Sequence, residues 1–287
     1  MTGILFLFIR VIASPVVNVF QKKLTNRGYS PFFVVFIVYI FFSVLALLYL
    51  SIKGFGNYPA GFWKYMIPLA ITDALGNIFL IRSLKSIDLS VFGPLNAYKP
   101  VIALVFSIFL IHEVPSWPGV VGVMIIIAGS YFLNLKDSKR NSSFFGFIRS
   151  EGILFRFLSV IFTSVAAVIS KKVIIMSSPL VTLSYWSLLG LPVVFLVYSM
   201  RKRVNDVSGP IPYQDLAGLF MAFLVLQVFS LYTFKFVFVG YSLALFQLSS
   251  VISVFFGSRV FKEQNITYRY IASGIMVIGA TVIILFG

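Results

Sequence analysis

Ten apolar runs separated by short polar breaks organise the chain, at residues 3–21, 32–52, 62–81, 89–111, 117–135, 153–174, 180–199, 213–234, 241–261 and 268–286. A helix that crosses a bilayer needs about 20 mostly apolar residues, and these runs lie around that length. They are continuously apolar, whereas a transmembrane barrel shows alternating segments of about ten residues. In lipid each backbone group must be satisfied within its own segment, so the runs read as α-helices. The predicted fold class is all-α integral membrane, with ten transmembrane helices. The clearest breaks are Lys22-Lys23-Leu24-Thr25-Asn26-Arg27-Gly28, the basic stretch 136–152 and Arg201-Lys202-Arg203-Val204-Asn205-Asp206. The links at 81–89 and 234–241 are so short that their flanking helices must be near-antiparallel neighbours. The first run has no basic leader or small-residue cleavage site and reads as a retained helix.

The chain also repeats itself. Lys22-Lys23 followed by Ser30-Pro31 recurs as Lys171-Lys172 followed by Ser178-Pro179. Further on, at an offset of 150 residues, Val101-Ile102 matches Val251-Ile252, Glu113 matches Glu263 and Gly129 matches Gly279. Residues 1–135 and 153–287 therefore read as two five-helix repeats joined by the basic linker 136–152. Five is odd, so the second copy enters the membrane from the opposite face. That makes an inverted repeat, for which a ligand site near the bilayer midplane between the halves is expected.

Composition sharpens the class. Of 287 residues, 60% are hydrophobic and only 11% charged, against about 45–50% and about 25% in soluble domains. The absence of cysteine excludes disulfides, thiolate metal sites and cysteine nucleophiles. One histidine (His112) and eight acids offer no catalytic constellation or metal cluster, so no enzyme activity, cofactor or metal is expected. The net charge of +15 sits in short clusters between apolar runs, which is how membrane proteins fix orientation and not how nucleic acid is bound.

The local pattern then resembles a known family. Pro100-Val101-Ile102 through Ile111-His112-Glu113, followed by Gly119, Gly122 and Gly129-Ser130-Tyr131, resembles the fourth and fifth helices of EamA-like members of the drug/metabolite transporter superfamily. The second copy keeps Glu263, Gly274 and Gly279 but has Ser250 in place of Pro100. The resemblance covers essentially the whole chain and implies a ten-helix transporter. It says little of the substrate, because that superfamily handles amino acids, sugars, nucleotide sugars, phosphorylated metabolites and amphipathic drugs.

Ionisable and amide groups at membrane depth are costly and mark candidate sites. Lys99 stands about ten residues into the fourth run, in Asn96-Ala97-Tyr98-Lys99-Pro100. Pro100 has no N–H for the Asn96 carbonyl, and Asn96 and Lys99 share a face at a spacing of three. A cation, an amide and a freed carbonyl together suit a carboxylate or phosphate. Asp73 and Asn77, four apart in the third run, form the second candidate pair, with Asp73 as counter-ion of Lys99, proton carrier or ligand for an amine. Asn18, on a polar face of the first run with Arg10, Ser14 and Gln21, and Gln227 and Gln247 in the eighth and ninth complete the amides. Tyr98, Tyr185 and Trp186 are the aromatic candidates for walls or gates.

The leading expectation is a secondary transporter moving a small polar or amphipathic metabolite, one bearing carboxylate or phosphate such as an amino acid, by alternating access. A proton or a counter-metabolite would couple the movement. No phosphate-binding GxxxxGK[ST] loop is present, so ATP is not its fuel. The alternative is a flippase for a lipid or lipid-linked intermediate. The expected setting is a bacterial-type inner membrane, with the chain as monomer or homodimer in the lipid bilayer. Sixteen Lys and Arg residues follow odd-numbered runs and five follow even-numbered ones, which places both termini outside by the positive-inside rule. The family resemblance implies the reverse.

Overall fold

The computed structural model describes residues 2–84, 95–135, 151–201, 212–252 and 266–287, and among these it is helical and contains no strand. Ten helices are described: α1 (Thr2–Asn26), α2 (Pro31–Lys53), α3 (Gly61–Leu84), α4 (Lys99–Ile111), α5 (Trp117–Leu135), α6 (Glu151–Met176), α7 (Pro179–Arg201), α8 (Tyr213–Phe236), α9 (Val239–Phe246) and α10 (Ile266–Phe286). Five of them, α1, α2, α6, α7 and α8, are long and apolar enough to cross a membrane, and α4, α5, α9 and α10 carry shorter apolar stretches. The chain is an integral, multi-pass membrane protein.

Charges mark the helix ends less sharply than the sequence suggests. Helix α1 runs on through Lys22 and Lys23 to Asn26, and α6 begins at Glu151 and continues past Lys171 and Lys172 to Met176. Lysine and arginine are good helix formers, so a basic pair can sit within a helix without ending it. Lys171 is buried within α6, and Arg156 lies inside the same helix with 1% of its surface exposed.

The helices group into two compact units. The first comprises Met1–Ile78 and Ile169–Phe236, the second Phe79–Val168 and Val237–Gly287. Packing thus divides the chain differently from the repeat, because each unit draws helices from both halves. In the first unit α1 packs on α8 and α2 on α7. Aromatic rings fill the second of these contacts, with Phe36 stacked on Tyr198 at 4.7 Å and Tyr39 tilted against Trp186 at 4.6 Å between ring centroids. In the second unit α5 packs on α10 and α4 on α9.

Three local structures recur between the halves. Ser30 and Ser178 each cap a helix that opens with proline: Ser30 Oγ accepts from Phe33 N at 3.1 Å and Ser178 Oγ from Val181 N at 3.3 Å. Serine at the cap and proline in the first turn are both favoured, since the oxygen takes an orphan N–H and the proline has none to lose. Next, the chain turns at Ala97–Tyr98, just before α4, and again at Gln247–Leu248, just after α9. Tyr98 N donates to Leu95 O at 3.3 Å and Leu248 N to Leu245 O at 3.0 Å, so the tightened turns lie 150 residues apart. Only the first is followed by proline. Last, α5 and α10 cross on small residues. A methyl at Gly122 would lie 2.8 Å from Gly279 O, and one at Gly129 would lie 3.0 Å from Ala272 O. Gly122 and Ala272 are 150 residues apart, as are Gly129 and Gly279, so these are one contact made twice.

Candidate functional site

Two polar clusters emerge, one in each unit. The cluster of the second unit forms at the turn that precedes α4. Pro100 stands in the first turn of α4, where its ring is tolerated, and not in mid-helix as the continuous run 89–111 suggests. Residues 89–94 lie outside the described residues. The expectation that proline frees the Asn96 carbonyl meets its answer within the unit, because Gln247 Nε2 donates to that oxygen at 3.1 Å. The carbonyl is therefore occupied by protein and is not itself available to a ligand.

The side chain of Asn96 has a partner that sequence reading missed. Arg156, on the N-terminal part of α6, donates through Nη2 to Asn96 Oδ1. About two helix turns further along α6, Ser164 Oγ lies 3.3 Å from the Lys99 carbonyl, which accepts its hydrogen. Asn96 and Lys99 are both half-buried, and Tyr98 between them is exposed. Arg82, at the end of α3, lies over the Phe155 ring at 5.4 Å. The second unit therefore gathers three cations, Arg82, Lys99 and Arg156, around the start of α6 and the turn before α4. Arg156 falls within the apolar run 153–174, but its partner Asn96 lies 60 residues away, which spacing cannot reveal.

The cluster of the first unit centres on Asp73. Its Oδ2 accepts from Trp186 Nε1 at 2.9 Å, Asn77 Nδ2 at 2.9 Å and Tyr39 Oη at 3.1 Å. Three donors on one carboxylate oxygen account for much of its cost of burial. Asp73 and Asn77 share a face of α3 as their spacing of four predicts, and Asn77 Nδ2 also reaches the Asp73 carbonyl at 3.0 Å. Tyr39 had no signal in the sequence, since it sits in an aromatic-rich run like many lipid-facing tyrosines. Tyr185, one residue before Trp186, points its hydroxyl to Phe55 O at 2.8 Å and packs against Tyr58, Phe62 and Trp63. Burial pushes the Tyr58 phenol up from its ordinary value, so it stays protonated across physiological pH.

The remaining candidates are dispersed. Asn18 is exposed on α1 and Gln227 half-buried on α8. On the same pair of helices Arg10 Nε donates to Ser230 Oγ at 3.4 Å. Glu113 accepts from Val239 N at 3.0 Å and so caps the start of α9, which lies far along the chain from its own neighbouring helix. His112 closes α4 in a left-handed conformation, φ 57°, a structural role. Glu263 lies outside the described residues. Among the described residues no group of three or more acids and histidines could hold a metal ion.

Comparison with known proteins shows what this chain is similar to. Residues 1–135 match the EamA-like transporter family. The chain is 26% identical over 205 residues to a triose phosphate/phosphate translocator, non-green plastid, chloroplastic, of Brassica oleracea var. botrytis, a member of the same superfamily. That alignment covers 70% of this chain and 49% of the translocator; the chain spans about half the length of the curated relative it matches. Its fold is shared with a solved crystal structure at a TM-score of 0.76 and 16% identity, over 98% of this chain and 96% of the other. Members of this family are transporters and not enzymes. Over residues 1–135 the chain is thus similar to EamA-like transporters, and over 205 residues to a translocator of the same superfamily.

Proposed function

We propose that this protein is a secondary transporter that moves a small metabolite bearing a phosphate or carboxylate by alternating access, built from two inverted five-helix repeats over residues 1–135 and 153–287. The observation that carries the substrate class is the turn before α4. There Lys99 and Asn96 lie side by side on a segment held by Gln247 and adjoined by the cation Arg156. Cations concentrated at a proline-interrupted helix suit an anionic ligand, as the broken helices of other transporters do. The relative named a triose phosphate/phosphate translocator favours phosphate over other anions.

The recurring structures support the repeat. Contacts Gly122–Gly279 and Gly129–Ala272 interchange under the 150-residue offset, as contacts across a two-fold axis do. An odd number of helices per repeat turns that two-fold into an inverted one. The tightened turns at 97–98 and 247–248 are weak points in otherwise continuous apolar runs, and they are natural hinges for a rocking movement. The Asp73 cluster is the reading's candidate for the coupling group, since a carboxylate held by Trp186, Tyr39 and Asn77 can lose or gain a proton without leaving its partners. Reconstitution into proteoliposomes tests the proposal. Labelled phosphate and triose phosphate entering vesicles loaded with phosphate, with little uptake of cationic or neutral metabolites, is the expected result. Movement of a labelled lipid headgroup between leaflets, with no metabolite uptake, would favour the flippase instead.

A further inference from the structure

Asn96 is held from two directions within one unit. Gln247 Nε2 donates to its backbone oxygen, and Arg156 donates to its side-chain oxygen. An amide has one oxygen that accepts and one nitrogen that donates, and it can be turned over with little change in shape. A guanidinium has five donors and no acceptor. Arg156 therefore dictates which end of the Asn96 amide it meets: the oxygen. The nitrogen, with its two hydrogens, is left over, and among the described residues no hydrogen bond from Asn96 Nδ2 is recorded. Arg156 is buried with 1% of its surface exposed, while Asn96 and Lys99 are half-buried. The arginine is thus placed to act on Asn96 from behind, and the asparagine and lysine are the groups with surface to offer.

We infer that Arg156 is a positioning residue that locks the Asn96 amide as a donor, so that Asn96 Nδ2 and the Lys99 ammonium together form the anion-recognising pair before α4. This rests on the reading of Lys99 as an anion site and adds the residue that sets its polarity. Without Arg156 the amide can turn its oxygen outward, where it would repel the anion that Lys99 attracts. The guanidinium also supplies a fixed positive field close to the pair. Holding a recognition group by a buried partner is how a site is kept pre-organised before its ligand arrives.

Four variants and one probe test this, with [32P]phosphate exchange into phosphate-loaded proteoliposomes as the transport readout and melting temperature in detergent as the folding readout. Asn96→Asp is the decisive change. Its carboxylate still accepts from Arg156, so the melting temperature should hold or rise, yet it has no N–H, so the KM for phosphate should rise about tenfold or more. Arg156→Met should raise KM about tenfold with kcat within about twofold, and Arg156→Lys should restore much of the loss by donating to the same oxygen. Asn96→Asp or Arg156→Met exchanging phosphate with a wild-type KM would overturn the inference, as would failure of Arg156→Lys to rescue in a folded protein. Lys99→Gln separates the two readings. If it loses phosphate while Asn96→Asp does not, the anion site stands and the role of Arg156 falls; if Lys99→Gln is as active as wild type, both fall.

Discussion

Gln247 Nε2 stands 3.1 Å from the backbone oxygen of Asn96, the carbonyl that Pro100, four residues on, cannot serve with an N–H of its own. A proline before α4 is thus answered by an amide about 150 residues further along the chain, inside a single packing unit. Leaving a buried acceptor without a donor costs about 1–3 kcal/mol. Gln247→Leu should therefore lower the melting temperature in detergent by several degrees. In a Pro100→Ala background the same change should cost little, because alanine returns the helical donor. Equal losses in both backgrounds would show that Gln247 acts through something other than this carbonyl.

Asp73 yields a second prediction from its three donors. Asp73→Asn keeps an oxygen for Trp186 and Tyr39 and should melt close to wild type. Asp73→Leu strands the indole N–H, the phenol and the Asn77 amide, and each stranded buried group costs about 1–3 kcal/mol. The leucine variant should unfold well before the asparagine variant, and the emission of Trp186 should shift as its indole loses an anionic partner. A leucine variant as stable as wild type would contradict the hydrogen-bond geometry.

The crossing of α5 and α10 gives an ordering. A methyl on Gly122 meets the backbone of Gly279 at 2.8 Å as well as Ile283 Cγ1 at 2.7 Å, whereas one on Gly129 meets chiefly Met276 Cγ at 2.6 Å, a flexible side chain, with Ala272 O at 3.0 Å. Small residues let membrane helices approach closely, and backbone cannot step aside as methionine can. Gly122→Ala should cost more stability than Gly129→Ala, read as the difference in melting temperature. The reverse order would mean that the helices adjust freely at Gly122.

At the start of α8, Asp215 pairs with Arg27 at 3.0 Å and Lys23 at 3.8 Å. The carboxylate is largely buried and the cations exposed, so loss of the acid should matter more than loss of either base. Asp215→Asn should lower the melting temperature by more than Lys23→Gln, with the difference shrinking in high salt as exposed charge is screened. Insensitivity of both variants to salt would remove the ion pairs from the account.

Much of the fold could be read from apolar runs alone, because the bilayer imposes helix length and internal hydrogen bonding. The Ser-Pro and Gly matches that suggested a repeat fall at the serine caps and at the α5–α10 crossing. Helix ends were less legible, since lysine and arginine favour helix and hid the reach of α1 and α6. Of the candidate pairs, Asp73 with Asn77 followed from spacing on a helix face, whereas Asn96 and Lys99 flank the turn at 97–98. Arg156, Tyr39 and the partnership of Gln247 with Asn96 did not follow from spacing, because each joins segments more than 30 residues apart and spacing carries no trace of that. The position of Trp186 beside Asp73 was likewise invisible, although the residue itself was singled out.

The central claim is that the turn before α4 binds an anion through Lys99. A charge-assisted hydrogen bond contributes about 1.5–3 kcal/mol, so Lys99→Gln should weaken an anionic substrate by about 10- to 100-fold, and Lys99→Arg should also impair it, because a forked guanidinium does not reproduce a point charge. The direct measurement is concentration-dependent [32P]phosphate exchange by wild type and Lys99→Gln in the same proteoliposomes, with the melting temperature of each recorded alongside. The account predicts a KM for phosphate raised at least tenfold in a variant that melts like wild type. An unchanged KM would contradict it, as would a lost melting transition that Lys99→Met, which restores the apolar packing of the side chain, brings back together with full phosphate exchange.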